Sequence, residues 1–304
     1  MSSPFLCVYG HTNLDHIMSL EEFPPKNTSV NILEKRRYFG GTAANVATIA
    51  ASLGVPTALA SFVGTDLPME FKRLMERSGV DLSDLKTVDG YETPTVWIVS
   101  DSRHDQIAFV YQGPMGVMDR FEIVTDMAEK ADHVHIMTGR PDYYLKVMRK
   151  IKGTVKGIGF DPAQEIHHVW DAERFREACS LSGYFFCNQS ELLTAQRYLG
   201  VASPEEMLDV VPMIVNTIGS KGSVIYTKEG KVEIPAIGSK TIIDTTGCGD
   251  AYRAGFYAGL FRGLDLRECG IMGSAAASFV IEQRGSLTNV PNWDAVVERA
   301  SPLL

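Results

Sequence analysis

Short apolar runs alternate with small-residue or amphipathic segments over most of the chain, and that rhythm predicts its elements. Phe5 to Tyr9 is an uninterrupted apolar run ending at Gly10, the pattern of a buried strand entering a loop. A polar, proline-containing stretch (EEFPPKNTS) leads into Val30 to Phe39, a second predicted strand that Gly40-Gly41 breaks. From Thr42 the segment TAANVATIAASLG is rich in alanine and free of proline, which predicts a packed helix ending at Gly54. A strand over Thr57 to Val63 and a helix over Pro68 to Ser78 follow. Two β-rich runs, Thr95 to Ser100 and Gln106 to Tyr111, flank the polar DSRHD and predict a hairpin. Strand-like runs then recur at His133 to Met137, Gly157 to Phe160, Tyr184 to Cys187, Met213 to Thr217 and Ser223 to Tyr226, with helix-like segments between them. Such alternation implies an α/β fold with a mostly parallel central sheet covered by helices. The expected partition is an α/β core (residues 1–13, 40–89 and 114–304) carrying a small discontinuous β-sheet lid (14–39 and 90–113).

Composition narrows the function classes. The chain has 304 residues, 45% hydrophobic and 22% charged, as in soluble globular proteins. A net charge of -8 with no Lys/Arg-rich run argues against a nucleic-acid partner. No apolar run approaches the ~20 residues that span a bilayer, and the N-terminus lacks a secretory pattern, so a cytoplasmic location is expected. The five cysteines are scattered and form no C-x-x-C pair, which predicts free thiols and no zinc site. His133 and His135 share one side of a predicted strand and are read as structural or surface residues.

The stretch DTTGCGDAYRAGF, Asp244 to Phe256, carries the first chemistry. Gly247 and Gly249 allow successive N–H groups to converge on an anion, and the helical pattern from Ala251 puts those groups at a helix N-terminus. Asp250 then stands beside the anion site as a proton acceptor for a hydroxyl. Read alone, it is equally a helix cap. The lysine and hydroxyl of a P-loop are absent.

Four further stretches, in order, make the chain resemble the ribokinase-like (PfkB-type) family of carbohydrate and nucleoside kinases. They are GHTNLD (Gly10 to Asp15), FGGTAANVA (Phe39 to Ala47), NQSE (Asn188 to Glu191) and TIGSKG (Thr217 to Gly222). The resemblance implies a three-layer core, ATP as phosphate donor, and a lid over the acceptor. It assigns Asp15, Gly40, Gly41 and Asn45 to the acceptor's hydroxyls. It assigns Asn188, Thr217, Gly219, Ser220 and Gly222 to ATP, and Asn188 with Glu191 to Mg2+ through water. Asp250 is implied as the base, with the amides of Gly247, Cys248 and Gly249 as the anion site. A monovalent cation, K+, is implied at Asp244 and Thr246 with Val280, Gln283, Gly285 and Asn289. Cys248 stands where the family usually has alanine; a thiol at a helix start is expected to ionise more readily and to react with thiol reagents.

The segments SKGSVIYTKEGKVEIP, ASFVIE and FDPAQEIH most resemble archaeal nucleoside kinases. Trp97, Phe109, Tyr111 and Met115 are expected either to stack on a nucleobase or to pack the lid and a dimer surface; Gln112 and Gln164 are expected to pair with a base edge. The expected acceptor is a nucleoside, a purine nucleoside slightly ahead of others. Free sugars or sugar acids come next, and a catalytically silent nucleoside-binding regulator last. A homodimer through the lid is expected.

Overall fold

The buried run LCVY forms β1 (Leu6–Tyr9), and its place in the middle of a parallel sheet explains why no polar residue interrupts it. The computed structural model describes residues 3–103 and 105–304; Met1, Ser2 and His104 of the predicted hairpin turn lie outside the described residues. Two strands leave the main sheet after β1, namely β2 (Asn13–Ser19) and β3 (Glu34–Gly40). The chain returns through α1 (Thr42–Ser52) and β4 (Thr57–Val63), then α2 (Met69–Ser78) and the short β5 (Val80–Asp81) and β6 (Leu85–Thr87). The predicted hairpin follows as β7 (Thr95–Ser100) and β8 (Gln106–Tyr111).

Alternation then resumes with β9 (His133–Ile136), α3 (Pro141–Ile151), β10 (Gly157–Phe160), α4 (Ala172–Leu181) and β11 (Tyr184–Asn188). Next come α5 (Gln189–Leu199), α6 (Pro204–Met207) and β12 (Met213–Thr217), followed by the antiparallel edge strands β13 (Ser223–Thr227) and β14 (Gly230–Ile234). Helices α7 (Cys248–Phe261), α8 (Leu266–Val280) and α9 (Trp293–Ala300) complete the chain.

Among the described residues a 10-stranded sheet runs β14-β13-β12-β11-β10-β9-β1-β4-β5, with β6 also on β4. One face packs on α1, α7 and α8 through Val46, Ile49, Phe256 and Ala276. The other packs on α3, α4 and α5 through Tyr144, Val147, Phe175 and Leu192. These are the three layers that the alternation implied.

The smaller sheet has four strands in the order β3-β2-β7-β8. It corrects the reading of Val30 to Phe39 as one strand, because pairing begins only at Glu34. Its central strand β2 was not predicted: NLDHIMS places Asp15 and His16 in mid-strand and so lacks a clear apolar alternation. Register puts Asp15 opposite Tyr38 and Val96, on one face, and His16 opposite Trp97, which pairs with Phe109, on the other.

His133 and His135 are both buried, which settles them as structural. His135 Nδ1 lies 3.0 Å from the Tyr257 hydroxyl, and burial lowers the pKa of both rings. All five cysteines are free thiols. No helix is long and apolar enough to cross a membrane among the described residues.

Candidate active site

The candidate residues converge at the C-terminal ends of β1, β9, β10 and β11, where open α/β sheets place their ligands. There the first turn of α7 meets the glycine pair before α1 and the inner face of the small sheet. Gly247 caps α7 with φ 76°, and a side chain there would run into Ser286, so only glycine fits both the turn and the contact. Asp250 is therefore not the cap. It is the third residue of the helix, and its Oδ2 accepts a 2.8 Å hydrogen bond from Asn45 Nδ2.

Asn45 is itself held, because its Oδ1 accepts a 2.8 Å bond from the buried Ser286 hydroxyl. The amide expected to reach an acceptor hydroxyl thus orients the Asp250 carboxylate. Burial pushes Asp250 up to about 7, and the Asp161 and Asp15 charges add to that against the Asn45 bond and the Arg253 charge. A carboxylate that titrates near neutrality suits proton removal. Cys248 departs from expectation: burial pushes its thiol up, as does the Asp250 charge, and together they outweigh the opposing Arg253 charge.

Two buried residues at this end of the sheet were missed by sequence reasoning. Arg253 lies one turn into α7, and its Nε donates to Asp161 Oδ2 at 2.6 Å, just beyond β10. Burial would raise Asp161, but the Arg253 guanidinium and His135 hold it below the usual carboxylate range. The i, i+3 spacing of Asp250 and Arg253 on one predicted helix was the signal available. Nearby, Asn188 and Glu191 form a capping box at the start of α5: Glu191 N donates to Asn188 Oδ1 at 2.9 Å, and Asn188 N to Glu191 Oε2 at 2.7 Å. Glu191 is buried, and burial pushes it up.

Asp15 lies against Gly40, whose missing side chain leaves room for the carboxylate. Burial pushes Asp15 up to about 7, helped by the Asp244 charge. Gly41 has φ 99°, and a Cβ there would sit 2.5 Å from the His11 carbonyl. A polar chain continues from that point. Thr42 Oγ1 and Thr138 Oγ1 are 2.7 Å apart, Thr138 Oγ1 lies 2.7 Å from His11 Nδ1, and His11 Nε2 bonds Gln112 Oε1. Gln112 Nε2 donates to Glu165 Oε1 at 3.4 Å, and Gly139 N to Glu165 Oε2 at 2.6 Å.

Gln164 takes no part in this network. The 3-10 turn over Ala163–His167 leaves Gln164 exposed and turns the buried Glu165 inward in its place. Of the two alternatives for the aromatic group, nucleobase stacking is the one the structure opposes, since Trp97 and Phe109 project from the face of the small sheet opposite Asp15, as does Tyr111 two positions on. Met115 is packed in the core.

Thr217 Oγ1 donates to the Cys187 carbonyl at 3.3 Å, and Gly219 and Ser220 are exposed on the turn that ends at Gly222. The Asp244 carboxylate accepts from Thr246 N and Gly285 N, each at 2.9 Å, which joins the loop before α7 to the segment after α8. Burial would raise Asp244, but these amides hold it low. Asn289 Nδ2 donates to the Phe279 carbonyl at 2.6 Å, and Gln283 N to the Val280 carbonyl at 3.4 Å. A cleft of about 280 Å³ opens between Ile17, Ser19 and Ile98 of the small sheet and Asp244, Thr246 and Arg284. No cluster of three or more His, Cys, Asp or Glu side chains with metal-binding geometry occurs among the described residues.

The sequence profile of the pfkB family carbohydrate kinases matches residues 3–293. The chain belongs to that family. It is accordingly a phosphotransferase that acts on a hydroxyl group. A nucleoside kinase of Methanocaldococcus jannaschii is 40% identical over 294 residues, spanning 96% of this chain and 95% of its own. One of Methanothermobacter thermautotrophicus is 36% identical over 297 residues, spanning 97% and 94%. The crystal structure of the M. jannaschii nucleoside kinase, an archaeal member of the ribokinase family, matches with a TM-score of 0.93 at 38% identity, covering 99% of this chain and 100% of that one. The resemblance read from the five motifs is thus family membership, and the two-sheet pfkB architecture is shared with a solved relative.

Proposed function

We propose that this pfkB kinase transfers the γ-phosphoryl group of ATP to the 5′-hydroxyl of a nucleoside. The observation that carries the reading is Asp250, which stands beside the Gly247–Gly249 amides and is tied through Asn45 to the glycine pair facing Asp15. Asp15 and the backbone at Gly40 and Gly41 hold the ribose. Asp250 takes the 5′-hydroxyl proton as the new O–P bond forms; the bond from the γ-phosphorus to its bridging oxygen breaks, and ADP leaves with that electron pair. Amides of Gly247 and Gly249 face the equatorial oxygens, whereas Cys248 N already donates to the Thr245 carbonyl at 3.2 Å and joins them only by exchanging that bond.

Mg2+ fits the donor set at Asn188 and Glu191, a buried carboxylate and an amide oxygen with few direct protein ligands, since this ion keeps several waters. When bound it neutralises phosphate charge. The oxygens of Asp244, Thr246, Val280, Gln283, Gly285 and Asn289 are the proposed shell for K+. The turn from Thr217 to Gly222, with exposed Gly219 and Ser220, underlies the nucleotide. The small sheet (14–39 and 90–113) acts as the lid over the core and excludes water. Its outer face exposes Ile107, Phe109 and Tyr111, which supports pairing of two lids in a homodimer. Five free thiols accord with a cytoplasmic enzyme.

For the base, Gln112 and Glu165 set a donor and an acceptor side by side, which matches O6 and N1–H of a 6-oxopurine such as inosine or guanosine. A panel of inosine, guanosine, adenosine, cytidine, ribose and fructose with ATP and Mg2+ tests the reading by coupled ADP release. Nucleosides are expected to be turned over, with the two 6-oxopurines ahead. Turnover of free sugars alone overturns the reading in favour of a sugar kinase, and turnover of nothing favours a silent nucleoside-binding protein.

A further inference from the structure

We infer that Arg253 is a catalytic residue, its guanidinium contacting the phosphoryl group while that group is transferred. The inference rests on the phosphoryl transfer proposed above and adds a residue to it. Arg253 is 5% exposed, and a guanidinium is withdrawn from water at a cost unless its donors are matched. Only Nε is matched, by Asp161 Oδ2 at 2.6 Å. Among the described residues Nη1 and Nη2 have no hydrogen-bond acceptor and are not fully buried, so that end of the side chain opens onto the solvent-filled site, and no carboxylate other than Asp161 lies within ion-pair distance.

A guanidinium that served only to neutralise Asp161 is expected to fork onto both carboxylate oxygens. Here the pair has one hydrogen bond, through Nε, and neither Nη bonds Asp161. Nη1 sits under the anion loop, 2.6 Å from the place a Gly249 side chain would occupy. Glycine at that position therefore clears the guanidinium as well as exposing an amide. The unmatched N–H groups lie beside the Gly247–Gly249 amides and near Asp250 and Glu191, where a tetrahedral oxyanion is expected.

The charge is secure. Burial alone lowers the pKa of Arg253, but the Asp161 and Glu191 charges push it up, so it stays cationic at every working pH. Its planar N–H fork complements two oxygens of a phosphoryl group in a way that a single backbone amide does not. Arg253 moves no proton, since that goes to Asp250. It balances the negative charge on the equatorial oxygens as the bond to ADP breaks. Asp161, fixed at the end of β10 and 3.7 Å from His135 Nε2, acts through Arg253 as a positioning residue.

The test is the pair Arg253→Ala with Asp161→Asn, which removes both buried charges together, read by turnover and by binding. The double variant is expected to lose about 10²–10³-fold in kcat, the usual effect of deleting one stabilising donor. Its nucleoside KM stays within threefold, and guanidinium chloride restores at least a tenfold part of the rate. Binding of ADP with Mg2+ stays within threefold of wild type, whereas binding of ADP, Mg2+ and aluminium fluoride weakens at least 30-fold.

A kcat within threefold of wild type overturns the proposal. So does an equal loss of ADP and ADP–aluminium fluoride binding, the signature of a merely structural role. Should the double variant not fold, Arg253→Lys decides, because it keeps the charge and loses the planar fork. A tenfold weaker response to aluminium fluoride with unchanged ADP binding supports the proposal, and unchanged binding of both overturns it. The aluminium fluoride measurement needs no acceptor, so failure of the nucleoside reading shows separately, in the acceptor panel.

Discussion

Asp250→Asn is expected to lower kcat by about 10²–10⁴-fold and to raise the melting temperature at pH 8. The first effect follows from the loss of the proton acceptor with little change in shape, since the amide oxygen of the substituted side chain can still accept the bond from Asn45 Nδ2 that Asp250 accepts now at 2.8 Å. The second follows from the sign of the pKa shift. Asp250 is pushed up to about 7 by burial, well above the ~3.9 of an unfolded aspartate. The folded state therefore binds this proton more tightly. Stability from the group is complete below its unfolded pKa and is lost as pH rises towards 7. At pH 8 the fold carries an ionised carboxylate that it disfavours, and asparagine removes that burden. In a domain of this size each kcal/mol recovered is worth about 2–4 °C. Below pH 4 the difference in melting temperature closes. The wild-type pH profile follows the same logic: kcat/KM climbs with pH through about 7, because the base works only when ionised, and in the variant only the one-proton step that Asp15 contributes is left. Near-normal turnover of a folded Asp250→Asn enzyme eliminates the base role. Lost turnover with an unchanged melting temperature keeps that role but contradicts the burial of charge.

The fold was legible where burial is uniform and illegible where an element has two different faces. LCVY, TALASFV and MIVNT are strands flanked on both sides in the large sheet, so apolar runs announce them. β2 and β14 escape such a reading, the one because Asp15 and His16 lie in mid-strand, the other because GKVEI is a largely exposed edge. In the site, the motif residues come together because each ends or begins an element at one end of the sheet. What failed was phase. One residue of turn geometry separates exposed Gln164 from buried Glu165. Alternation put Trp97 on a face without saying which, since the face depends on the β2–β7 register and not on β7 itself. Ser286, which orients Asn45 from 241 positions away, has no local signal at all. Asp250 could be told from a helix cap only once Gly247 was seen in that place.

Asp15→Ala is expected to raise the nucleoside KM by about 10²–10⁴-fold while leaving ATP affinity within threefold. Asp15 projects from β2 towards Gly40, at the edge where the small sheet meets the core, and burial keeps water from competing for its oxygens. A carboxylate so placed accepts from two vicinal hydroxyls at once. Each hydrogen bond to a charged group contributes about 1.5–3 kcal/mol, so two amount to about 10²–10⁴ in affinity. The loss falls on KM because the ribose is gripped equally before and during transfer. A double-mutant cycle gives the sharper measurement. The wild type is expected to discriminate against a 2′-deoxynucleoside by tenfold or more, the value of one such bond, and the Asp15→Ala enzyme is expected to show little discrimination. A variant that keeps both its affinity and its preference for the ribonucleoside removes Asp15 from the acceptor site. Asp15 is also pushed up to about 7, so the ribose grip weakens below neutrality together with proton removal by Asp250. The acid limb of kcat/KM should then steepen from one proton towards two, and in Asp15→Ala it should return to one.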